Sequence, residues 1–216
     1  VISFMIPASV SSANVENVTR IAGEDRIATS IEISKAMFNE SDNVVLASGF
    51  NFADALSAGQ LAAALNAPLI LSKDQLDSRT SDEIAKLKPK NMYIVGGENA
   101  LSSNIEESVK SVVNDINVER LKGNDRYETS VKVMEKTKEF VDAEYLLIAS
   151  GKNFPDALSA TSFMADHKAL MVLSDGNSYP KSDLQEIAIG GVNQLPLNGF
   201  TGERIAGNDR YQTCLL

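Results

Sequence analysis

The chain reads as an α/β protein built of small three-layer units in tandem, each with a parallel sheet, and three observations predict this. A ten-residue phrase occurs three times, opening Arg20-Ile-Ala-Gly23-Glu-Asp25-Arg26, Arg120-Leu-Lys-Gly123-Asn-Asp125-Arg126 and Arg204-Ile-Ala-Gly207-Asn-Asp209-Arg210, and closing at Thr29, Thr129 and Thr213. Recurrence at this fidelity marks a tandem array. Short continuous apolar runs, Asn43-Val-Val-Leu-Ala-Ser48 and Tyr145-Leu-Leu-Ile-Ala-Ser150, have the pattern of parallel strands covered on both faces. Helix-start signals alternate with such runs across short connections, which favours right-handed crossovers.

Each element has its own warrant. Behind the phrase, Ile27, Ile31 and Met37, and in the second copy Tyr127, Val131 and Met134, follow a helical spacing. The first strand of each unit runs into a second shared phrase, Ser48-Gly-Phe-Asn-Phe-Ala-Asp54-Ala-Leu-Ser-Ala58 and Ser150-Gly-Lys-Asn-Phe-Pro-Asp156-Ala-Leu-Ser-Ala160. Asp54 and Asp156 are expected to cap the Ala-rich helix that follows, and Pro155 suits a helix start. Small residues at Ala55, Ser57, Ala58 and Ala62 let that helix lie close on its sheet. The next strand, Pro68-Leu-Ile-Leu-Ser72, is matched at an offset of 102 by Leu170-Met-Val-Leu-Ser174. Thr80 with Glu83 forms a capping box for a helix over Ser81 to Leu87, Met92 to Gly97 is a third strand, and Ser103 with Glu106 caps one more helix with Leu101, Ile105, Val109 and Val112 buried. The second copy is compressed from Ser182 to Gly191 and shows no helix over Asn193 to Gly202. The two units are therefore expected to match through two strands and two helices and to diverge after Ser174, the second being less well ordered there or pairing its strand differently.

The spacing sets the organisation. The phrases stand 100 and then 84 residues apart in a chain of 216. This divides it into a signal-peptide remnant (1-13), a first unit (14-119), a shortened second unit (120-203) and the start of a third (204-216). Residues 1-13 are apolar and end in Ser11, Ser12 and Ala13, as in the back half of a secretory signal. No other stretch approaches the roughly 18 to 20 apolar residues of a membrane span, so none is expected. The one cysteine, Cys214, can form neither an intramolecular disulfide nor a cysteine metal site. A net charge of -9 argues against bulk capture of nucleic acid or acidic lipid, though it leaves room for a polyanion held at a local pocket.

Catalytic chemistry finds little support. Neither GxGxxG nor GxxxxGK[ST] is present, and Asp54 and Asp156 would set negative charge where a phosphate should sit. His167 is the sole histidine and reads as a surface residue, no metal cluster of HExxH or cysteine type occurs, and no enzyme activity, cofactor or metal is expected. The arginines Arg26, Arg126 and Arg210 admit two readings. They could grip phosphate or carboxylate bidentately, or close Asp-Arg clamps that tie the start of a helix to a neighbouring unit. Leu69-Ile70-Leu71 and Met171-Val172-Leu173, read alone, are core strand residues.

The phrase Arg-Ile-Ala-Gly-x-Asp-Arg, the Ser-Gly-x-Asn-Phe-x-Asp-Ala-Leu-Ser-Ala turn, Pro-Leu-Ile-Leu and Ile-Val-Gly-Gly together resemble the markers of the cell wall binding repeat 2 family of clostridial and other Gram-positive surface proteins, of the Clostridioides difficile S-layer-associated type. The resemblance covers nearly all of residues 20 to 213. It implies Rossmann-like or Toprim-like cores, three units about a pseudo-threefold axis, and non-covalent anchoring to an anionic cell-wall polysaccharide without catalysis. It also implies a secreted protein of the cell wall or S-layer, with S-layer proteins as possible partners, and a separate effector domain. The family's anchoring triplet maps onto Leu69-Ile70-Leu71 and less well onto Met171-Val172-Leu173; with Arg26 and Arg126 these are the candidate polymer-binding residues. The alternative is the anchoring fragment of a cell-wall hydrolase, an amidase or peptidase whose catalytic domain lies elsewhere.

Overall fold

The structure, a computed structural model, describes residues 19–193 and 195–206. The expectations for 1-13, Arg210 and Cys214 fall outside them. The first unit opens with helix α1 (Arg26–Met37), capped by Asp25, whose carboxylate accepts from the Ala28 N–H at 2.7 Å. Ile27, Ile31 and Ser34 form its buried face, while Met37 is 69% exposed. At 3.6 residues per turn, Ser34 continues the stripe of Ile27 and Ile31 and Met37 falls well round the helix from it. The chain continues through β1 (Asn43–Ser48), α2 (Phe52–Ala64), β2 (Leu69–Ser72), α3 (Ser78–Leu87), β3 (Asn91–Val95), α4 (Asn104–Val112) and β4 (Asn117–Leu121).

All four strands are parallel, in the order β2-β1-β3-β4, with Leu46 between Ile70 and Ile94. Alternate residues of β1 face opposite layers. Val44 and Leu46 join Ile27, Ile31, Ile84 and Ile105 on one side, and Val45 and Ala47 join Ala58 and Leu61 on the other. Three layers result, as the apolar runs predict.

The second unit contains α5 (Arg126–Lys138), β5 (Tyr145–Ser150), α6 (Pro155–Asp166), β6 (Ala169–Ser174), β7 (Gln185–Ile189) and β8 (Glu203–Ile205). Its sheet order, β6-β5-β7-β8, repeats the first, so the expected change of strand pairing does not occur. What diverges after Ser174 is the covering layer. Where the first unit has α3 and α4, the second runs as loops, and Leu195 and Leu197 from the loop between β7 and β8 are buried against Leu146, Ile148 and Val172. Gly176 takes φ +94, and a Cβ there would stand 2.7 Å from Pro196, so the close approach of this loop requires glycine.

Several local expectations need correction. The second and third copies of the phrase begin inside the last strand of the preceding sheet, since Arg120 and Leu121 belong to β4 and Arg204 and Ile205 to β8. Arg120 donates to the carbonyls of Gly96, Leu101 and Ser102 and pairs with Glu106 at 2.7 Å; Arg204 donates to those of Gly190 and Leu195. These contacts tie the last strand to the turn that leaves its neighbour, which explains the arginine that opens the second and third phrases. Asn51, not Asp54, caps α2; Asp77, not Thr80, caps α3, and Glu83 turns inward to accept from Ser34 Oγ at 2.6 Å. Ser103 holds the N-cap position of α4 with a helical backbone (φ -57, ψ -29) and no side-chain capping bond, and the Glu106 carboxylate is engaged by Arg120. Pro155 opens α6 as expected, with Phe154 at the cap position and Asp156 inside the helix.

Candidate functional site

The two units meet where α2 of the first lies across α5 and β6 of the second. Gln60 sits at the centre of this seam and is buried. Its Nε2 donates to the Met171 carbonyl at 2.9 Å, and the Met171 N–H donates to its Oε1 at 3.0 Å. The side-chain amide thus presents one donor and one acceptor to the edge strand β6, as a neighbouring strand would. Around it the packing is close: Val133 of α5 sits within the first unit's cluster beside Leu61 and Ala62, and Ala53 joins the second unit's core.

Arg126, at the start of α5, crosses the same seam. Its Nη1 donates to the Gly151 carbonyl at 3.0 Å, and its guanidinium lies 5.4 Å from the ring centroid of Phe52 in the first unit. Beside it is Asp54, buried inside the first turn of α2 and holding Asn51 Nδ2 at 2.7 Å. Burial pushes the Asp54 carboxyl up to about 6, and the nearby Arg126 charge pulls against that rise. Gly96, at φ +115, allows the carboxylate to pack this tightly, since a Cβ would come within 2.7 Å of Oδ2. Arg26 repeats the first half of the arrangement within its own unit, donating to the Gly49 carbonyl at 2.8 Å with its guanidinium 5.2 Å from the Phe50 ring.

The Asp-Arg clamp of the phrase does not form: Arg126 reaches the neighbouring unit through the Phe52 ring, and Arg26 stays within its own. Asp25 and Asp125 cap their helices, and the arginines next to them bind backbone carbonyls and aromatic faces. The arginine that reaches Asp25 is Arg79, from α3, at 3.3 Å.

Two surfaces open beside the seam. A polar cleft of about 450 Å³ runs along the carboxyl ends of the first sheet, lined among others by Asp54, Glu98, Lys122, Arg126 and Glu128. An apolar groove of about 580 Å³ lies between α1, α2 and β2, lined by Ile33, Met37, Leu56, Leu69, Leu71 and Phe154. Of the candidate triplets, Leu69 and Leu71 line this groove. Ile70 is core, and Met171, Val172 and Leu173 are wholly buried. Met171 and Leu173 lie in the core layer under α6, and Val172 lies in the opposite one. Arg126 lines the polar cleft, whereas Arg26 is exposed on the outer end of the first unit. The structure does not bring the candidate residues into one cluster. His167 is exposed and stacks on Phe163 at 4.2 Å, in keeping with a surface residue.

Gln60 was not legible as a functional residue. The one available signal was a lone polar residue in the alanine-rich face of α2, and the matching position of the second unit, Ser162, does not repeat it. Among the described residues no group of three or more His, Cys, Asp or Glu side chains could hold a metal ion, and no helix is long and apolar enough to cross a membrane.

Tandem parallel α/β units joined through a helix-on-sheet seam define a modular repeat protein. The chain belongs to the family Cell wall binding domain 2 (CWB2), whose profile matches residues 20–106 and 120–198. It is 29% identical to the N-acetylmuramoyl-L-alanine amidase LytC of Bacillus subtilis (strain 168), over 94% of this chain and 43% of that protein. It is 31% identical to the Amidase enhancer of the same organism, over 94% of this chain and 29% of that protein. Among solved structures it is similar to Cwp6 from Clostridium difficile, with a TM-score of 0.80 and 29% identity, covering 98% of this chain and 38% of that one. The chain thus spans less than half the length of these relatives. It is a cell wall binding domain.

Proposed function

We propose that this chain anchors an exported protein non-covalently to the Gram-positive wall through an anionic secondary wall polymer, the units themselves performing no catalysis. The observation that carries the reading is the CWB2 match across both units, on a structure whose repeated phrases are spent on sheet closure, capping and the inter-unit seam rather than on a reactive constellation. Secretion by a signal ending near Ala13 and a place at the cell surface or S-layer belong to the same reading. The protein and the polymer are both acidic, so long-range attraction is unavailable and contact must be made at short range. Arg126 and Lys122 in the polar cleft, with Arg26 on the first unit, are the cations suited to it.

Anchoring by this reading needs a complete third unit. Ile33 and Met37 stand 100 residues before Val133 and Thr137 of α5, the helix that α2 lies across. A third unit's equivalent of α2 would lie in the groove at Leu69 and Leu71. A second reading, an anchoring portion of a wall hydrolase, is favoured by the likeness to an amidase over less than half of its length.

Sedimentation with isolated walls tests the proposal. The present chain should stay largely in the supernatant, a three-unit version should pellet, and Arg26→Ala with Arg126→Ala should release it. Binding by the short form that those substitutions leave unchanged would assign the arginines a structural role only. A clearing band in a peptidoglycan zymogram of the chain would overturn the non-catalytic reading.

A further inference from the structure

The order β2-β1-β3-β4 places a reversal between β1 and β3: from β1 the chain passes to β2 on one side and returns to β3 on the other. Connections that leave neighbouring strands in opposite directions open a crevice at their carboxyl ends, and this is where open α/β sheets hold ligands. Such a crevice, of about 440 Å³, is present in the first unit. Its walls are Ser48 at the end of β1, Phe50 and Asn51 in the turn beyond, Lys73 and Asp74 after β2, and Asn99 after β3.

Phe50 is 66% exposed, yet its turn is fixed. The Phe50 N–H donates to Ser48 Oγ at 3.2 Å, and Arg26 binds the preceding carbonyl while lying over the ring. The far wall is tied as well, the Ser102 N–H donating to the Asp74 carbonyl at 3.1 Å. The crevice is therefore a rigid space with an aromatic face on one side and an exposed amide, ammonium and carboxylate on the others.

The second unit shows the same place closed. Lys152 replaces Phe50, Asp175 stands at the position of Lys73 with its carboxylate held by Asn177 and the Ser178 N–H, and Gly176 replaces Asp74. Its own chain crosses there, with the Leu197 N–H on the Gly176 carbonyl at 2.8 Å and Pro196 against Gly176. Among the described residues, the second unit fills with its own loop the place that stands open in the first.

The chemistry of the walls selects the ligand. A phosphate would lie close to Asp74 without a glycine-rich loop to cradle it, and a purely apolar ligand would desolvate Lys73 and Asp74. A hexopyranose meets both demands: its C–H face suits an aromatic ring, and its equatorial hydroxyls donate to a carboxylate and accept from an amide and an ammonium. We infer that the crevice over the ends of β1 and β3 is a glycan subsite that seats one hexopyranose residue of a wall saccharide, its ring face on Phe50 and its hydroxyls on Asn99, Lys73 and Asp74. This rests on the wall-binding reading and adds to it a saccharide contact that requires no arginine-anion pair. A single ring in an open crevice binds weakly, with a dissociation constant on the order of millimolar.

The test is an amide NMR titration of the 216-residue chain with methyl β-glucopyranoside and with N-acetylglucosamine, using sorbitol and inorganic phosphate as controls. Saturable shifts confined to residues 48–51, 73–74 and 97–100 are expected with at least one pyranose and not with sorbitol. Phe50→Ala and Asn99→Ala should each weaken binding about tenfold or more at an unchanged melting temperature, and Lys152→Ala should leave it unaltered. No saturable shift with either sugar, equal shifts in Phe50→Ala, or phosphate moving the same amides in place of the sugars would overturn the inference. Wall sedimentation separates the two proposals. If a three-unit protein pellets equally with and without Phe50→Ala, the subsite fails and wall anchoring stands; if sugar binds but the three-unit protein does not pellet, anchoring fails and the subsite stands.

Discussion

The first and second units carry the same sheet under different covers. In the first, α3 and α4 bury Ile84, Leu87, Ile105 and Val109 against the strands; in the second, loops take their place, one with Tyr179 and Leu184 and the other with Leu195 and Leu197. Sheet order survives because the strands are apolar on both faces and pair through their backbones, whatever chain covers them. The cover needs only to supply apolar volume and to satisfy its own polar groups, so a ten-residue loop can replace a helix. The units differ again at their edge strands. On β6 the edge is met by Gln60 from the other unit, while the matching edge on β2 borders an open apolar groove.

The largest test of this comparison is the loop cover itself. Leu195→Ala should destabilise the second unit by about 2–5 kcal/mol, as core truncations do, measured by urea unfolding. A loss below about 1 kcal/mol would show that the loop does not act as the core layer. Gln60→Ala leaves the Met171 N–H and carbonyl buried without their partner and should cost about 1–3 kcal/mol. The seam should then loosen first, seen as faster hydrogen exchange at 170–173, and unchanged exchange there would remove Gln60 from its role.

A pH profile sharpens the comparison at the seam. With its folded pKa pushed up to about 6 from an ordinary 3.8, Asp54 holds an extra proton in the folded state between those limits. Its favourable contribution is complete below about 4 and is lost as pH rises through about 6. Asp25, Asp77 and Glu98, held low by capping N–H groups or by partner cations, work in the opposite direction at the acid end. The difference in stability between the wild type and Asp54→Asn should therefore isolate the Asp54 slope, with the wild type falling relative to the variant from about pH 4 to 6.5. A flat difference would mean that Arg126 offsets the burial. The smallest expected effect is at Met37, where Met37→Ser should change the stability of this chain by no more than about 0.5 kcal/mol. The same substitution in a three-unit version should cost more, and equal losses in both would leave the groove without an occupant.

Much of this was readable in advance where the signal is local. β1 and β5 lie at the residues their apolar runs mark, and Pro155 opens its helix. Caps were misplaced by up to three residues because several Ser, Thr, Asn and Asp side chains cluster before each helix, and backbone direction decides which of them reaches the free N–H groups. β4 and β8 were missed because Asn117-Val-Glu-Arg-Leu121 and Glu203-Arg-Ile205 are short and mostly polar, without the continuous apolar run that marks the inner strands.

By itself the sequence determined that this is a tandem α/β array with parallel strands, and its phrases marked the family. These follow from periodicity, turn chemistry and repetition, all of which act over a few residues or recur at fixed spacing. The tertiary structure decided that the phrase's opening arginines close each sheet and that Gln60 serves as the partner of an edge strand. It also decided that Met171, Val172 and Leu173 are inaccessible while Leu69 and Leu71 remain beside an open groove. Identical strand patterns acquired opposite exposures because burial depends on which surface arrives from elsewhere in the chain. In this molecule α2 reaches the second unit and Gln60 meets the edge of β6, while the matching edge of the first unit borders a groove.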